Sequence, residues 1–159
     1  MRIYVDADGC PVVDQVIRLA GRFGVPVVLV CDTAHQFHRS GCQVITVSKG
    51  ADSADFALVN RLHPGDLAVT QDYGLAAMCL ARRAVPLSQD GVLYTKENID
   101  GLLAARHTAQ KIRRGGGRLK GPPKRTPKQD QDFERTLTSL LKEMLAKEQI
   151  NGEKKDGPD

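Results

Sequence analysis

Two carboxylates stand at the end of the first apolar run of the chain. Asp6 and Asp8 follow residues 3–5 and precede Gly9 and Pro11. The β-branched and aromatic run favours a strand, Gly9 permits a tight turn, and Pro11 suits the first position of a helix. The sequence therefore predicts that both aspartates lie at the carboxyl end of a strand, beside the start of a helix.

Acidic turns recur after two later apolar runs. Residues 46–50 lead to Asp52 and Asp55, and residues 67–71 lead to Asp72. Ligands of open α/β sheets bind outside the carboxyl ends of the strands, so parallel strands would bring these carboxylates to one site. Clustered carboxylates repel one another, and such a cluster holds protons or a cation. Oxygen ligands without a His or Cys set favour Mg²⁺ or Mn²⁺, which would activate water and neutralise a scissile phosphate.

The second acidic turn also has a structural interpretation. Asp52 can cap the following helix, and Asp55 lies three residues later, where the helix dipole favours a negative charge. Capping and metal binding do not exclude each other. For this segment alone, capping is the better interpretation.

A basic segment follows the acidic turns. Residues 96–128 hold ten Lys and Arg against two Asp and Glu, whereas residues 1–95 hold eight against nine. Residues 113–128 are rich in Gly and Pro and have little apolar surface, which predicts a flexible basic loop. Such a loop can follow a sugar–phosphate backbone, and the scarcity of aromatics predicts little sequence readout. The candidate nucleic-acid-binding residues are Arg113, Arg114, Arg118, Lys120, Lys124 and Arg125.

Alternating strand and helix patterns would position these residues. The continuous apolar run 25–31 is typical of a strand buried on both faces. We predict a three-layer α/β/α domain with a mainly parallel sheet over residues 1–112, followed by the basic loop 113–128. Residues 129–148 carry an apolar stripe and form a C-terminal helix that packs on the domain or on a second copy, which leaves a homodimer open. Residues 149–159 are predicted to be a disordered tail.

Composition excludes several classes of protein. No stretch of the 159 residues approaches the roughly 18 apolar residues of a membrane span, and no signal-peptide pattern is present, so we expect a cytoplasmic protein without a membrane partner. The four cysteines form no Cys-x-x-Cys pair, which predicts buried free thiols and not disulfides or a zinc site. Cys10 is the exception, because its place at a helix N-terminus would favour a thiolate.

The assembled motifs resemble the YaiI/YqxD family of uncharacterised bacterial proteins, whose fold is similar to that of the PIN-domain nucleases. The resemblance extends to about residue 145, and the motifs together are specific for the family although each alone is weak. The residues that carry it are Asp6-Ala7-Asp8-Gly9-Cys10-Pro11-Val12, Gly50-Ala51-Asp52-Ser53-Ala54-Asp55, Val69-Thr70-Gln71-Asp72, Leu93-Tyr94-Thr95 with Glu97-Asn98-Ile99, and Gly121-Pro122 with Phe133.

This resemblance implies a PIN-like sheet and, by analogy with PIN nucleases, catalytic metal ligands at Asp6, Asp55 and Asp72. Asp8 and Asp52 would be additional ligands or groups that surround them, and Thr70 would orient the third acidic station. A further PIN-type acidic position would fall near Asp90. The family usually has an Asn-Pro-Arg-Gly-like turn where this chain has Ser88-Gln89-Asp90-Gly91, so we interpret Asp90 as a turn residue.

Three functions follow from these observations. The first is a nuclease that uses Mg²⁺ or Mn²⁺, with RNA favoured over DNA as the substrate. The second is a non-catalytic nucleic-acid-binding protein with a PIN-like fold. The third is an aspartyl-phosphate-type phosphatase with Asp6 as nucleophile and Asp8 as general acid, because Asp-x-Asp after a first strand is also how those enzymes begin. It ranks last, because Cys10 stands where a Thr or Val is common and no phosphate-binding Lys follows a later strand.

Overall fold

The structure of the chain is a computed structural model that describes residues 1–32, 39–50, 53–116 and 124–155, without the side chains of residues 153–155. The strands are β1 (Ile3–Asp6), β2 (Val27–Asp32), β3 (Gln43–Val47), β4 (Leu67–Val69) and β5 (Val85–Leu87). The helices are α1 (Val13–Phe23), α2 (Ser53–Val59), α3 (Tyr73–Ala81), α4 (Lys96–Arg114) and α5 (Pro127–Lys155).

Local sequence signals set several helix ends. Gly24 ends α1 in the left-handed conformation, with φ 67°, and its amide donates to the carbonyls of the last turn. Thr95 begins α4 with a capping box: its hydroxyl accepts from the Asn98 amide at 3.2 Å, and the Asn98 side chain accepts from the Thr95 amide at 2.9 Å. A glycine stop and a capping box thus fix these two helix ends locally.

All five strands are parallel and lie in the order β3-β2-β1-β4-β5. The central strands β1, β2 and β4 are buried along nearly their whole length, which is the environment that their continuous apolar runs require. The predicted three-layer α/β/α fold with a mainly parallel sheet is confirmed.

The strand order reverses at β1. From β1 the chain adds β2 and then β3 on one side, and it then crosses to the other side of β1 to add β4 and β5. The crevice outside the carboxyl ends of β1 and β4 is therefore the topological switch point, where open α/β sheets bind their ligands. Asp6 ends β1, and the Thr70-Gln71-Asp72 turn follows β4 directly.

Two apolar layers sandwich the sheet. On one face, β1 and β2 pack against α1 and α5, whose fully buried side chains include Val16, Phe133, Leu137 and Leu141. On the other face, Tyr4 and Val28 pack against Leu58 of α2 and Leu75 of α3. Helix α4 lies outside α3, where Ile99 packs with Ala76 and Tyr94. Among the described helices, none combines the length and apolar character that crossing a membrane requires.

The C-terminal part differs from the predicted boundaries. Helix α4 continues through Arg113 and Arg114, so the prediction that both belong to a loop is wrong; basic residues are favoured in a last helical turn by the helix dipole. Helix α5 continues to Lys155, which contradicts the predicted loss of regular structure at residue 149. Residues 146–149 are good helix formers that carry α5 into this stretch, and Lys147 pairs with Glu143 one turn earlier. Residues 117–123 and 156–159 lie outside the described residues.

Arg125 fixes the start of α5 to the turn at residues 88–91. Its guanidinium donates to Asp130 Oδ1 at 2.7 Å, to Asp90 Oδ1 at 2.8 Å and to the Gln89 carbonyl at 2.7 Å, and its side chain is 21% exposed. Asp90 lies in a turn, as predicted. We therefore assign Arg125 a structural role, because its donors are already used within the chain.

We expect Arg125→Gln to lower the free energy of unfolding by about 2 kcal/mol, because charge-assisted hydrogen bonds are lost and two half-buried carboxylates lose their counterion. Arg135→Gln is the matched control, because Arg135 lies on the same helix with a side chain that is 76% exposed. Its expected change is within about 0.5 kcal/mol. Urea denaturation of both variants measures the difference, and equal stabilities would refute the structural role of Arg125.

Candidate functional site

The carboxyl ends of β1 and β4 are joined by a chain of side-chain hydrogen bonds. The buried Thr70 hydroxyl donates to Asp6 Oδ2 at 2.8 Å and accepts from the backbone amide of Asp72 at 3.0 Å. The parallel pairing of β1 with β4 brings these residues together across 64 positions of sequence. Thr70 thus holds the Asp6 carboxylate and the backbone of the acidic turn in fixed positions.

Asp72 is held at the start of α3. Its Oδ1 accepts from the Leu75 amide at 3.1 Å and caps the helix, and the same oxygen lies 3.7 Å from Nη1 of Arg106. Among the described residues, Oδ2 of Asp72 accepts no hydrogen bond. Capping therefore fixes the carboxylate through one oxygen and leaves the other to meet a ligand.

Asp8 connects the ends of β1 and β2. Its Oδ2 accepts from the backbone amide of Asp32 at 3.0 Å. Asp32 is an acidic residue at this edge that sequence reasoning missed, although it directly follows the predicted apolar strand 25–31. The position of Asp32 after a strand could have indicated it. The sequence after Asp32, however, shows no turn that opens a helix, which was the second signal at the other acidic turns.

Burial is the largest of the causes that raise the pKa of Asp6 above its ordinary value. The Thr70 hydroxyl opposes this shift by donating to the carboxylate, and the negative charges of Asp72 and Asp8 raise the pKa further. The three aspartates are therefore close enough to interact electrostatically. Within the described part of the chain, no positively charged side chain offsets these effects on Asp6, and a bound cation would supply that charge.

The oxygen donors at this edge fit Mg²⁺ or Mn²⁺ in chemical type. Across residues 1–32, 39–50, 53–116 and 124–155, no three or more His, Cys, Asp or Glu side chains are grouped so that they could hold a metal ion. A site made only of protein ligands is therefore not assembled within this part of the chain. Mg²⁺ is commonly bound by one or two carboxylates while water and substrate phosphate complete its shell, and Asp6 with Asp72 fits that requirement.

The second acidic turn is described in part. Asp55 lies in the first turn of α2, and its negative charge acts on the Cys79 thiol, as does that of Asp6. Burial is the main cause that raises the pKa of Cys79 to about 12. Asp55 and Asp6 thus both lie in the surroundings of Cys79, but no described hydrogen bond joins Asp55 to Asp6 as Thr70 joins Asp6 to Asp72. Asp52, as a ligand or as a cap, lies outside the described residues.

Two depressions meet at Asp6. A cleft of about 50 Å³ is lined by Asp6, Asp8, Gly9, Cys10, Val69, Thr70, Gln71 and Gln89. An adjacent groove of about 430 Å³ is lined by Asp6, Gln71, Asp72, Tyr73 and Arg106. Among the described residues, no lysine lines either depression. Arg106 was missed from the sequence because its position depends on how α4 crosses α3, which no local motif reports.

The predicted nucleic-acid-binding residues do not form a single loop. Arg113 and Arg114 lie exposed in the last turn of α4, and Lys124 lies exposed shortly before α5. Arg118 and Lys120 fall outside the described residues. Arg125 is bound to Asp90 and Asp130, which gives it a structural role.

The neutral form of the Cys10 thiol is favoured at this edge. All four cysteines are free, and burial is the main cause that raises the pKa of Cys10 to about 11. The predicted preference of Cys10 for the thiolate is therefore wrong. Desolvation and the negative charge of Asp6 outweigh the backbone hydrogen bond near the start of α1.

We expect Asp6→Asn to stabilise the metal-free protein at neutral pH. A carboxyl group whose pKa is raised by folding stabilises the folded state at low pH and loses that contribution as pH rises through the folded pKa. The amide keeps an acceptor for Thr70 and carries no charge. In EDTA, the gain in melting temperature over wild type should be smallest near pH 4 and should grow to a plateau at neutral pH.

Asp14→Asn is the matched control for this stability measurement. Asp14 is 74% exposed and pairs with Arg39 on the surface, so no comparable gain is expected from its replacement. A loss of stability in Asp6→Asn at neutral pH would contradict the charge repulsion inferred at this edge.

Comparisons with known proteins bear on this site. Residues 4–143 match the family described as "Uncharacterized BCR, YaiI/YqxD family". The UPF0178 protein of Exiguobacterium sibiricum is 57% identical over 143 residues, which covers 90% of this chain and 98% of the relative. The UPF0178 proteins of Ruminiclostridium cellulolyticum and Enterococcus faecalis are 46% and 43% identical and cover 89% and 91% of this chain, and 93% and 100% of their own lengths. No solved structure matches the chain, so the resemblance to PIN nucleases stays a prediction.

Proposed function

The chain belongs to the YaiI/YqxD family, and from that premise we propose that it is a nuclease that depends on Mg²⁺ or Mn²⁺ and hydrolyses phosphodiester bonds in RNA. The family description names no reaction. The proposal therefore depends on the chemistry of the residues at the carboxyl edge of the sheet.

One observation carries the proposal. Thr70 links the partly buried Asp6 carboxylate to the turn that presents Asp72, at the point where the strand order reverses. Structural carboxylates are normally compensated by positive charge or by several hydrogen-bond donors, whereas the pKa of Asp6 is raised and two further aspartates act on it. Uncompensated negative charge in a ligand-binding crevice is typical of a cation site.

The residues at this edge would have distinct roles. Asp6 and Asp72 would hold the cation, with Asp8, Asp52 and Asp55 as further ligands or neighbours. When bound, the cation supplies a Lewis acid and an activated water molecule at neutral pH. Thr70 would keep Asp6 in one rotamer by donating to Oδ2, and the helix cap would keep Asp72 in place.

The positive charge of the chain supports a polyanionic substrate. An acidic site by itself repels nucleic acid, so a nuclease of this kind needs basic residues nearby to bind the backbone. Arg113 and Arg114 at the end of α4 and Lys124 before α5 are exposed and suited to this role. Arg118 and Lys120 are proposed for it from the sequence alone.

A non-catalytic nucleic-acid-binding protein is the second candidate. It is favoured by the exposed basic residues of α4 together with the lack of three grouped metal-binding side chains in the part of the chain that the structure describes. Such a protein would bind RNA with a strong salt dependence and would need no divalent cation.

The deciding experiment combines cleavage with calorimetry. Labelled single-stranded RNA is incubated with the protein and Mn²⁺ or Mg²⁺, with EDTA in a parallel reaction, while calorimetry measures Mg²⁺ binding to the protein alone. Cleavage that EDTA abolishes supports the nuclease. RNA binding without cleavage or Mg²⁺ binding supports the second candidate, and turnover of a generic phosphomonoester would restore the phosphatase.

A further inference from the structure

Helix α4 has two halves with different surroundings. In the first half, Ile99 is buried against α3 and Leu102 and Leu103 are partly buried. From residue 104 to residue 116 every side chain is exposed except that of Ala109. This second half carries Arg106, Lys111, Arg113 and Arg114 and no acidic residue. It is a projecting basic segment that begins beside the acidic edge of the sheet.

Arg106 connects the basic half of α4 with the carboxylates. Its Nη1 lies 3.7 Å from Asp72 Oδ1, and within the described residues it is the one basic side chain of this half-helix with an ion pair. The same guanidinium lines the groove of about 430 Å³ that Asp6 and Asp72 also line. A phosphodiester that enters this groove would therefore meet Arg106 and the carboxylates together.

A phosphate could readily replace Asp72 as the partner of Arg106. At 3.7 Å it is longer than a hydrogen bond, and the Arg106 side chain is 50% exposed, so the pair is weak and screened. Two oxygens of a phosphate can accept from the guanidinium in bidentate geometry, whereas the single, more distant oxygen of Asp72 cannot. Without a substrate, however, the positive charge of Arg106 opposes the approach of a divalent cation to Asp72.

We propose that Arg106 binds the substrate phosphate in this groove by replacing its contact with Asp72 by a contact with a phosphodiester. While the groove is empty, the charge of Arg106 weakens the binding of a divalent cation. The inference depends on the proposed function, because it assigns the cation and the phosphate to that same site. It makes two predictions of opposite sign for one variant: removal of the charge weakens RNA binding and strengthens Mg²⁺ binding.

The test compares four forms of the whole chain: wild type, Arg106→Gln, Arg106→Lys and Lys111→Gln. Calorimetry measures the Kd for Mg²⁺ without RNA, and fluorescence anisotropy measures the Kd for a labelled single-stranded RNA in EDTA across a range of salt concentrations. For Arg106→Gln we expect Mg²⁺ affinity to rise about 3- to 10-fold. We expect RNA affinity to fall about 3- to 10-fold at low salt, with the salt slope reduced by about 0.7.

The two control variants separate contact from charge. Arg106→Lys keeps the charge and should retain the wild-type Mg²⁺ affinity. Lys111→Gln removes a charge from the same exposed half-helix without touching Asp72, so its Mg²⁺ affinity should also match wild type. Arg106 is exposed, and circular dichroism spectra of all four forms should be the same.

Each other outcome overturns the proposal. If only RNA binding falls, Arg106 is an ordinary backbone contact; if both affinities fall, it positions Asp72 for the cation; if neither changes, it has no role in the groove. An absence of Mg²⁺ binding in wild type would refute the proposed function and this inference together. Mg²⁺ binding in wild type that Arg106→Gln leaves unchanged would refute this inference alone.

Discussion

Asp6→Asn is expected to lower the rate of Mn²⁺-dependent RNA cleavage on the order of 100-fold or more. A catalytic metal supplies several kcal/mol of charge stabilisation, and each tenfold in rate corresponds to about 1.4 kcal/mol. The amide retains the size of the side chain and an acceptor for Thr70, so the variant removes the negative charge while it preserves the fold. Time courses with labelled single-stranded RNA at saturating Mn²⁺ measure the rate.

Asp72→Asn should reduce cleavage by a similar factor, because it removes the second carboxylate proposed to hold the cation. Asp14→Asn is the control, since it removes a 74% exposed carboxylate in the first turn of α1 that pairs with Arg39 on the surface. Its rate should equal that of wild type. Equal rates in Asp6→Asn, Asp72→Asn and wild type would show that any activity arises elsewhere or from a contaminant.

We expect Asp6→Asn to lose cleavage activity without losing stability. Folding raises the pKa of Asp6 through burial and through the charges of Asp72 and Asp8, so the charged side chain destabilises the metal-free fold at neutral pH. An increase in melting temperature combined with a large loss of rate is typical of a residue that serves function at a cost in stability. A merely structural aspartate would lose stability and activity together.

The first and third acidic turns could be predicted from the sequence because each consists of local signals in a fixed order. An apolar run, a turn and a helix start place Asp6 and Asp72 at strand ends, and the parallel pairing of β1 with β4 then brings them together. The role of Thr70 came from the family resemblance, and its hydrogen bonds to both turns are a tertiary feature. Local patterns thus define the edge of the sheet, while pairing decides which residues meet there.

Other features depended on contacts between distant elements. Arg106 belongs to a basic segment whose sequence is equally compatible with a solvated surface, and only the crossing of α4 over α3 brings it to Asp72. The basic segment around Arg125 predicts a residue that binds the nucleic-acid backbone. In the structure, its guanidinium instead joins α5 to the turn at Asp90. The place of Cys10 near a helix N-terminus predicts a thiolate, whereas burial raises the pKa of its thiol.

The C-terminal helix is part of the same core. Phe133 is fully buried in the layer that α1 and α5 form on one face of the sheet, together with Leu137 and Leu141. The sequence left open whether this apolar stripe packs on the domain or on a second copy. Packing within the chain predicts that replacing Phe133 changes stability independently of protein concentration, whereas burial between two copies would make stability depend on it.

Phe133→Ala is therefore expected to lower the free energy of unfolding by about 3–5 kcal/mol, because it removes a buried aromatic side chain and leaves a cavity. For a chain of this size the melting temperature should fall on the order of 10 °C, equally at low and high protein concentration. Phe56→Ala is the matched control, since Phe56 on α2 is 56% exposed and its loss should change stability by about 0.5 kcal/mol or less. Equal effects in the two variants would mean that α5 does not pack on the domain, and a concentration-dependent loss would place it against a second copy. The expected result would make α5 a structural part of the domain, and the turn that Arg125 ties to it would keep Gln89 at the cleft beside Asp6.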